Sequence, residues 1–111
     1  MNISIKGTHV DLTDPLKDYI VEKIGHLAKF IQASEAHVEI DRDQHHHSGL
    51  VFRAEVNMIV GSKVMRAESR AEDSYAAIDL LIPKLKEQIA KFKDKRMTMT
   101  RRGARSAKRK T

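Results

Sequence analysis

An α+β fold, with one four-stranded sheet and two helices packed on one of its faces, is what these 111 residues predict. Three observations lead there. Four segments alternate apolar and polar side chains with the two-residue period of a strand, and two longer ones repeat apolar residues every three or four positions, as a helix does. The order of these segments is β-α-β-β-β-α, and each helix has a single apolar stripe to bury. A chain of this length has material for one core, since such a domain buries roughly 60–70% of its unfolded surface.

The first strand covers residues 2–6, with Ile3 and Ile5 on one face. Thr13-Asp14-Pro15 then opens a helix. Proline suits the first helical turn, where its missing N–H is no loss, and Thr13 or Asp14 supplies the cap. Leu16, Tyr19, Ile20, Ile24, Leu27 and Ile31 give that helix its stripe, and its end is expected near Gln32–Ser34. Residues 36–42 alternate again around Val38 and Ile40, before a polar loop that contains His45-His46-His47.

A long strand is expected from Leu50 to Val60, with Leu50, Phe52, Ala54, Val56 and Met58 facing inward. Gly61-Ser62 makes a two-residue hairpin turn, because glycine at the first central position accepts the positive φ of a type II′ turn. The return strand, about 63–70, turns Met65 and Ala67 inward. The second helix runs from about Asp73 to Lys95, along a seam of Tyr75, Ile78, Ile82, Leu85, Ile89 and Phe92. Pro83 interrupts its backbone hydrogen bonds and predicts a kink near 79–83.

Hydrophobic residues at 41% and charged residues at 32% describe a globular chain rather than a disordered one. The absence of cysteine removes disulfides and thiolate metal sites. The opening residues alternate instead of forming a leader, and no run approaches the ~18 apolar residues of a membrane span. The expectation is a cytoplasmic protein with no membrane partner.

The placement of charge says more than its net value of +6. Seven basic residues and no acid lie between Arg96 and the end. Removing those seven from the 21 basic residues leaves 14 against 15 acids in 1–95. The reading is a near-neutral folded domain over 1–96 and a basic tail over 97–111, which has no periodicity and is expected to be disordered in isolation. Such a tail attracts polyanions, nucleic acid first.

On a wheel of 100° per residue, the lysines of the second helix border its apolar seam. Lys84, Lys91 and Lys95 line one border, and Lys86 and Lys93 the other, where a groove between neighbouring helices would open. The first helix adds Lys17 and Lys23. Two basic helices side by side can follow RNA phosphates, although lysines beside a seam also serve simply to cover it with their stems. The aromatic residues Tyr19, Tyr75, Phe52 and Phe92 fall at core-facing positions and offer no platform for stacking bases.

Other chemistries are less well supported. Three adjacent histidines near Asp41 and Asp43 rarely converge on one ion, so the loop is taken as solvated and no metal is expected. No serine lies in a nucleophile motif, and Glu72-Asp73 stands just before a helix, where it caps free N–H groups. No enzyme activity, cofactor or small-molecule substrate is expected.

The stretch Ala71-Glu72-Asp73-Ser74-Tyr75-Ala76-Ala77-Ile78-Asp79, with Met1–Gly7, the helix start at Thr13 and the run from Lys84 to Lys95, resembles the ribosome hibernation promoting factor family. That family includes the ribosome-associated inhibitors also called sigma-54 modulation proteins, and the resemblance covers residues 1–95. It implies a β-α-β-β-β-α fold similar to double-stranded-RNA-binding domains. It also implies a factor that binds the small ribosomal subunit, and so the whole ribosome, in the tRNA and mRNA channel, and inhibits translation under stress or in stationary phase. Lys84, Lys91 and Lys95 match positions that face rRNA in relatives, and Lys17 and Lys23 match basic positions of the first helix.

Lys86, Lys93, Arg101 and Arg102 complete the expected rRNA-binding set. The chain resembles the short type of the family, expected to be a monomer off the ribosome. It departs from the family at Pro83, at the order Lys86-Glu87 and at His26. The alternative reading is a non-specific RNA- or DNA-binding module that acts through the basic tail.

Overall fold

Each strand and helix is set by a local pattern, and the sheet follows from how those patterns pair. In the computed structural model, β1 (Asn2–Thr8), α1 (Asp14–Gly25), a 3₁₀ turn (His26–Lys29), β2 (Glu35–Arg42), β3 (Phe52–Val60), β4 (Lys63–Ala71) and α2 (Ser74–Lys110) succeed one another. Residues 1–45 and 48–110 are described, with side chains as far as 94.

The sheet order is β1-β2-β3-β4. β1 and β2 are parallel, because α1 carries the chain back across one face between them. The other two pairings are antiparallel. The β3–β4 hairpin closes at Val60↔Lys63 around Gly61, whose φ of 61° with no positive φ at Ser62 is the expected type II′ pattern.

Both helices cover the same face of the sheet. Ala36, Val38, Ile40, Ala54, Val56 and Met58 point into one core with Leu16, Ile20, Ile24, Ile78, Leu81 and Leu85. Thr13 Oγ1 accepts from the Leu16 N–H at 3.3 Å, and Asp73 Oδ1 accepts from the Ala76 N–H at 2.7 Å. The two predicted caps therefore hold the two helix starts, each worth about 1 kcal/mol. Inside the core, Ser69 is 4% exposed and donates from its hydroxyl to the Ala77 carbonyl at 2.5 Å, tying β4 to the first turn of α2.

Three expectations change. α1 ends at Gly25, not near 32–34, and the chain tightens into a 3₁₀ turn. Glycine is a poor helix former, and 3₁₀ turns commonly finish α-helices, here while keeping Leu27 fully buried. Leu50 is 63% exposed, and Val51 is the buried residue at the start of β3. The Val51 N–H donates to the Gly49 carbonyl and its own carbonyl accepts from Asp43, which fixes the loop before strand alternation begins at Phe52.

Tyr75 is 41% exposed rather than in the core. α2 continues through Pro83 and past the end of its apolar seam. The helix runs across the expected division at 96/97, and the side chains of Lys95, Arg101 and Arg102 lie outside the described residues, as do His46 and His47.

Candidate nucleic-acid interface

α1 and α2 lie side by side and run in the same direction. Tyr19 stacks on Tyr75 with ring centroids 5.0 Å apart, and its hydroxyl donates to the Asp79 carboxylate. Farther along α2, Lys86 meets Phe30 just beyond the 3₁₀ turn that follows α1. That parallel arrangement adds up two sequence gradients. In α1, Asp14, Asp18 and Glu22, with Lys17 among them, precede Lys23, and His26 and Lys29 follow in the turn beyond. In α2, Asp79 precedes Lys84, Lys86, Lys91 and Lys93, which outnumber the acids Glu87 and Asp94 in the same stretch. The ends richer in acid adjoin at one end of the pair and those richer in base at the other.

The Tyr19–Asp79 bond pushes the phenol up to about 12, with burial and the negative charge of Asp79 acting in the same direction. Lys23 Nζ lies over the Tyr19 ring, 5.3 Å from its centroid.

The lysines divide as the wheel predicts, but the two borders differ in surroundings. Lys86 and Lys93 border the end of the 3₁₀ turn, where with Phe30, Ile89 and Ala90 they line a groove of about 280 Å³. Lys84 and Lys91 do not line it. Lys84 stands over the open edge of β4, where its Nζ donates to the Glu68 carbonyl at 2.6 Å and Gln88 Nε2 donates to the Arg66 carbonyl at 2.5 Å. These bonds use acceptors that an edge strand otherwise leaves free for another strand. Lys91 pairs with Glu87 at 3.0 Å.

Lys17 is exposed, but it sits on the opposite flank of the α1 stripe from Tyr19 and Lys23, so it stands apart from the α2 lysines. Two residues that sequence reasoning passed over belong to this region: Gln88 on the β4 edge and Phe30 in the groove. Phe30 was detectable in principle, as the one phenylalanine of three assigned to no apolar seam.

The open face of the sheet is built differently. The register aligns Lys6, Glu39, Glu55 and Glu68 in one rung, and Thr8, Asp41, Arg53 and Arg70 in the next. Arg53 Nε donates to Glu68 Oε1 at 2.8 Å, and its Nη2 also reaches Glu55. The hydrogen bond to Arg53 holds the Glu68 carboxyl below its ordinary range, while the same contact raises the guanidinium. Arg66 Nε donates to Asn57 Oδ1 at 2.8 Å, and Arg70 lies 3.8 Å from Glu68. Among the described residues, no group of three or more metal-ligating side chains converges, and no helix is long and apolar enough to cross a membrane.

Residues 3–97 match the protein family described as sigma 54 modulation protein / S30EA ribosomal protein. A ribosome hibernation promotion factor from Staphylococcus aureus (strain COL) is 33% identical over 96 residues. That alignment covers 84% of this chain and 48% of the relative, so the chain spans about half the relative's length. Among solved structures, the Thermus thermophilus Protein Y N-terminal domain is 28% identical with a TM-score of 0.70, over 83% of this chain and 99% of that one. A ribosomal subunit interface protein from Coxiella burnetii, 24% identical, shares the fold with a TM-score of 0.72 over 85% and 99% of the two chains.

Proposed function

The chain belongs to the sigma 54 modulation protein / S30EA ribosomal protein family, and on that premise we propose that it is a ribosome hibernation factor. It binds the small ribosomal subunit, alone or within the whole ribosome, in the channel used by tRNA and mRNA. There it inhibits translation under stress or in stationary phase. The observation that carries this reading is the adjoining of the two basic helix halves, with Lys86 and Lys93 free of any carboxylate partner among the described residues. The name of the Staphylococcus aureus relative, a ribosome hibernation promotion factor, supports it.

The mechanism is steric. The folded body occupies the channel, and ammonium groups hold it by neutralising rRNA phosphates, each neutralised phosphate releasing counterions. Lys86 and Lys93 are the central contacts, with Lys23 beside them on α1. Lys84 and Lys91 extend the surface over the β4 edge, and Lys17 is peripheral. Lys95, Arg101 and Arg102 carry the same charge onward along the sequence. Release follows competition with tRNA and initiation factors.

Sedimentation of the purified protein with vacant ribosomes on sucrose gradients, at low and at moderate salt, tests this. Co-migration with the small subunit or the whole ribosome at both salts is the expected result. Binding at low salt only, and equally to any RNA or DNA, would replace the proposal with non-specific attraction through the basic residues beyond 96.

A further inference from the structure

The groove between the end of the 3₁₀ turn and α2 combines two features that the packing of this fold does not require together. Phe30 is 45% exposed, although it stands between buried Leu27 and Ile31. Its neighbours across the groove are Ile89 and Ala90, flanked by Lys86 and Lys93. The cavity of about 280 Å³ lies just below the ~300 Å³ at which small-ligand sites begin, room for one flat group. Lys86 Nζ stands 5.6 Å from the Phe30 ring centroid. The helical neighbours of Lys86, three and four residues away, are Ile82, Pro83, Ile89 and Ala90, and those of Lys93 include Ile89, Ala90 and Arg96. Neither lysine has an acid at the spacing that would pair with it.

We propose that this groove is a subsite for one unpaired nucleobase of RNA, stacked on Phe30, with the adjoining phosphates held by Lys86 and Lys93. The inference rests on the RNA-binding reading above and adds a base contact to it. A nucleotide has a flat π-face and an anionic backbone, and the groove supplies a flat apolar ring and two cations within reach of one another. Phosphate binding alone requires no exposed ring. An apolar peptide would bury the ring but leave both ammonium groups unanswered. Duplex RNA keeps its bases in the stack and presents mainly backbone, so the ligand is a single-stranded or looped segment. Lys86 changes partner on binding, from the ring, where its cation–π contact is weak and exposed, to the incoming phosphate.

The chain has no tryptophan, so Phe30→Trp introduces a single indole reporter at the site. This variant and the unaltered protein are titrated, at fixed salt, with a short uridine oligomer and with an abasic ribose-phosphate oligomer of equal length. The base-bearing oligomer is expected to bind roughly 5- to 150-fold more tightly, the range of one base–aromatic stack, and to quench the indole. Phe30→Ser should abolish that preference with an unchanged melting curve. Lys86→Gln with Lys93→Gln should weaken both oligomers alike and lower the salt slope by about 1.4.

Equal affinity of the unaltered protein for the two oligomers, or an indole that is not quenched, overturns the subsite. If co-sedimentation with the small subunit persists in that case, the hibernation reading stands without it. If co-sedimentation is lost as well, both readings fail.

Discussion

The helix-covered side of this molecule and the open face of its sheet both carry many charges, yet their cations are placed in opposite circumstances. On the sheet, antiparallel register puts side chains of neighbouring strands about 5 Å apart. Arg53 thereby meets Glu68 and Arg66 bonds Asn57, while the two-residue period of a single strand brings Glu55 to Arg53 on β3 and Arg70 towards Glu68 on β4. On the helices the relevant neighbours are three and four residues away. Lys91 finds Glu87 at that spacing, but Lys86 and Lys93 find apolar or basic residues. A cation whose partner is supplied by the fold stabilises the fold. A cation without one remains available to a polyanion.

Charge reversal gives the largest test of that contrast. Lys86→Glu with Lys93→Glu should weaken small-subunit binding by about a hundredfold and reduce the slope of log K against log salt by about 2, since two phosphate contacts are lost and two repulsions gained. Arg66→Glu with Arg70→Glu should change binding by less than about threefold. Equal losses from the two pairs would end the distinction between the faces. Between these extremes, Lys84→Glu with Lys91→Glu should cost about tenfold, because one lysine is tied to the Glu68 carbonyl and the other shares its charge with Glu87.

Stability should respond in the reverse sense. Arg53→Ala leaves Glu55 and Glu68 facing each other without their shared partner, and urea unfolding should show a loss of about 1 kcal/mol with ribosome binding intact. The sign of its pH dependence follows from Glu68, whose carboxyl is depressed by Arg53. Its contribution is present above the ordinary value of 4.5 and is lost as pH falls through the depressed folded value. Arg53→Ala should flatten that acid-side decline.

The smallest expected effect belongs to the helix junction. Tyr19 is raised from 10.0 to about 12, so its contribution is complete below pH 10 and disappears as pH rises through 12. Tyr19→Phe should remove this alkaline decline in a melting-temperature series, and tyrosinate absorbance should show the late-titrating phenol vanish.

Much of the fold was legible because its determinants are local. Thr13 and Asp73 cap the helices they precede, and Gly61 supplies the positive φ of the hairpin turn. The alternation of β2 and β4 identifies the core, and the seam of α2 does so at Ile78, Leu85 and Ile89 while missing the fully buried Ala77 and Leu81. Local reasoning failed where two elements compete for one residue. Tyr75 keeps seam spacing, yet it is drawn out of the core to stack on Tyr19. Leu50 continues the parity of β3, yet the turn from Gly49 to Val51 ends the alternation before reaching it.

In the candidate site, helical periodicity alone determined that Lys84 and Lys91 share one border of α2 and Lys86 and Lys93 the other. Tertiary structure decided what each border faces: the edge of β4 at Lys84 and the Phe30 groove at Lys86 and Lys93. The reason is that a repeat of 3.6 residues fixes angles around a single helix axis. The neighbour met at each angle depends on how α1, α2 and the sheet pack, and those contacts join residues tens of positions apart. Sequence therefore determined the caps, the turn, the core stripes, the arrangement of charge and the want of an acid three or four residues from Lys86 and Lys93, while packing decided what each border of α2 faces.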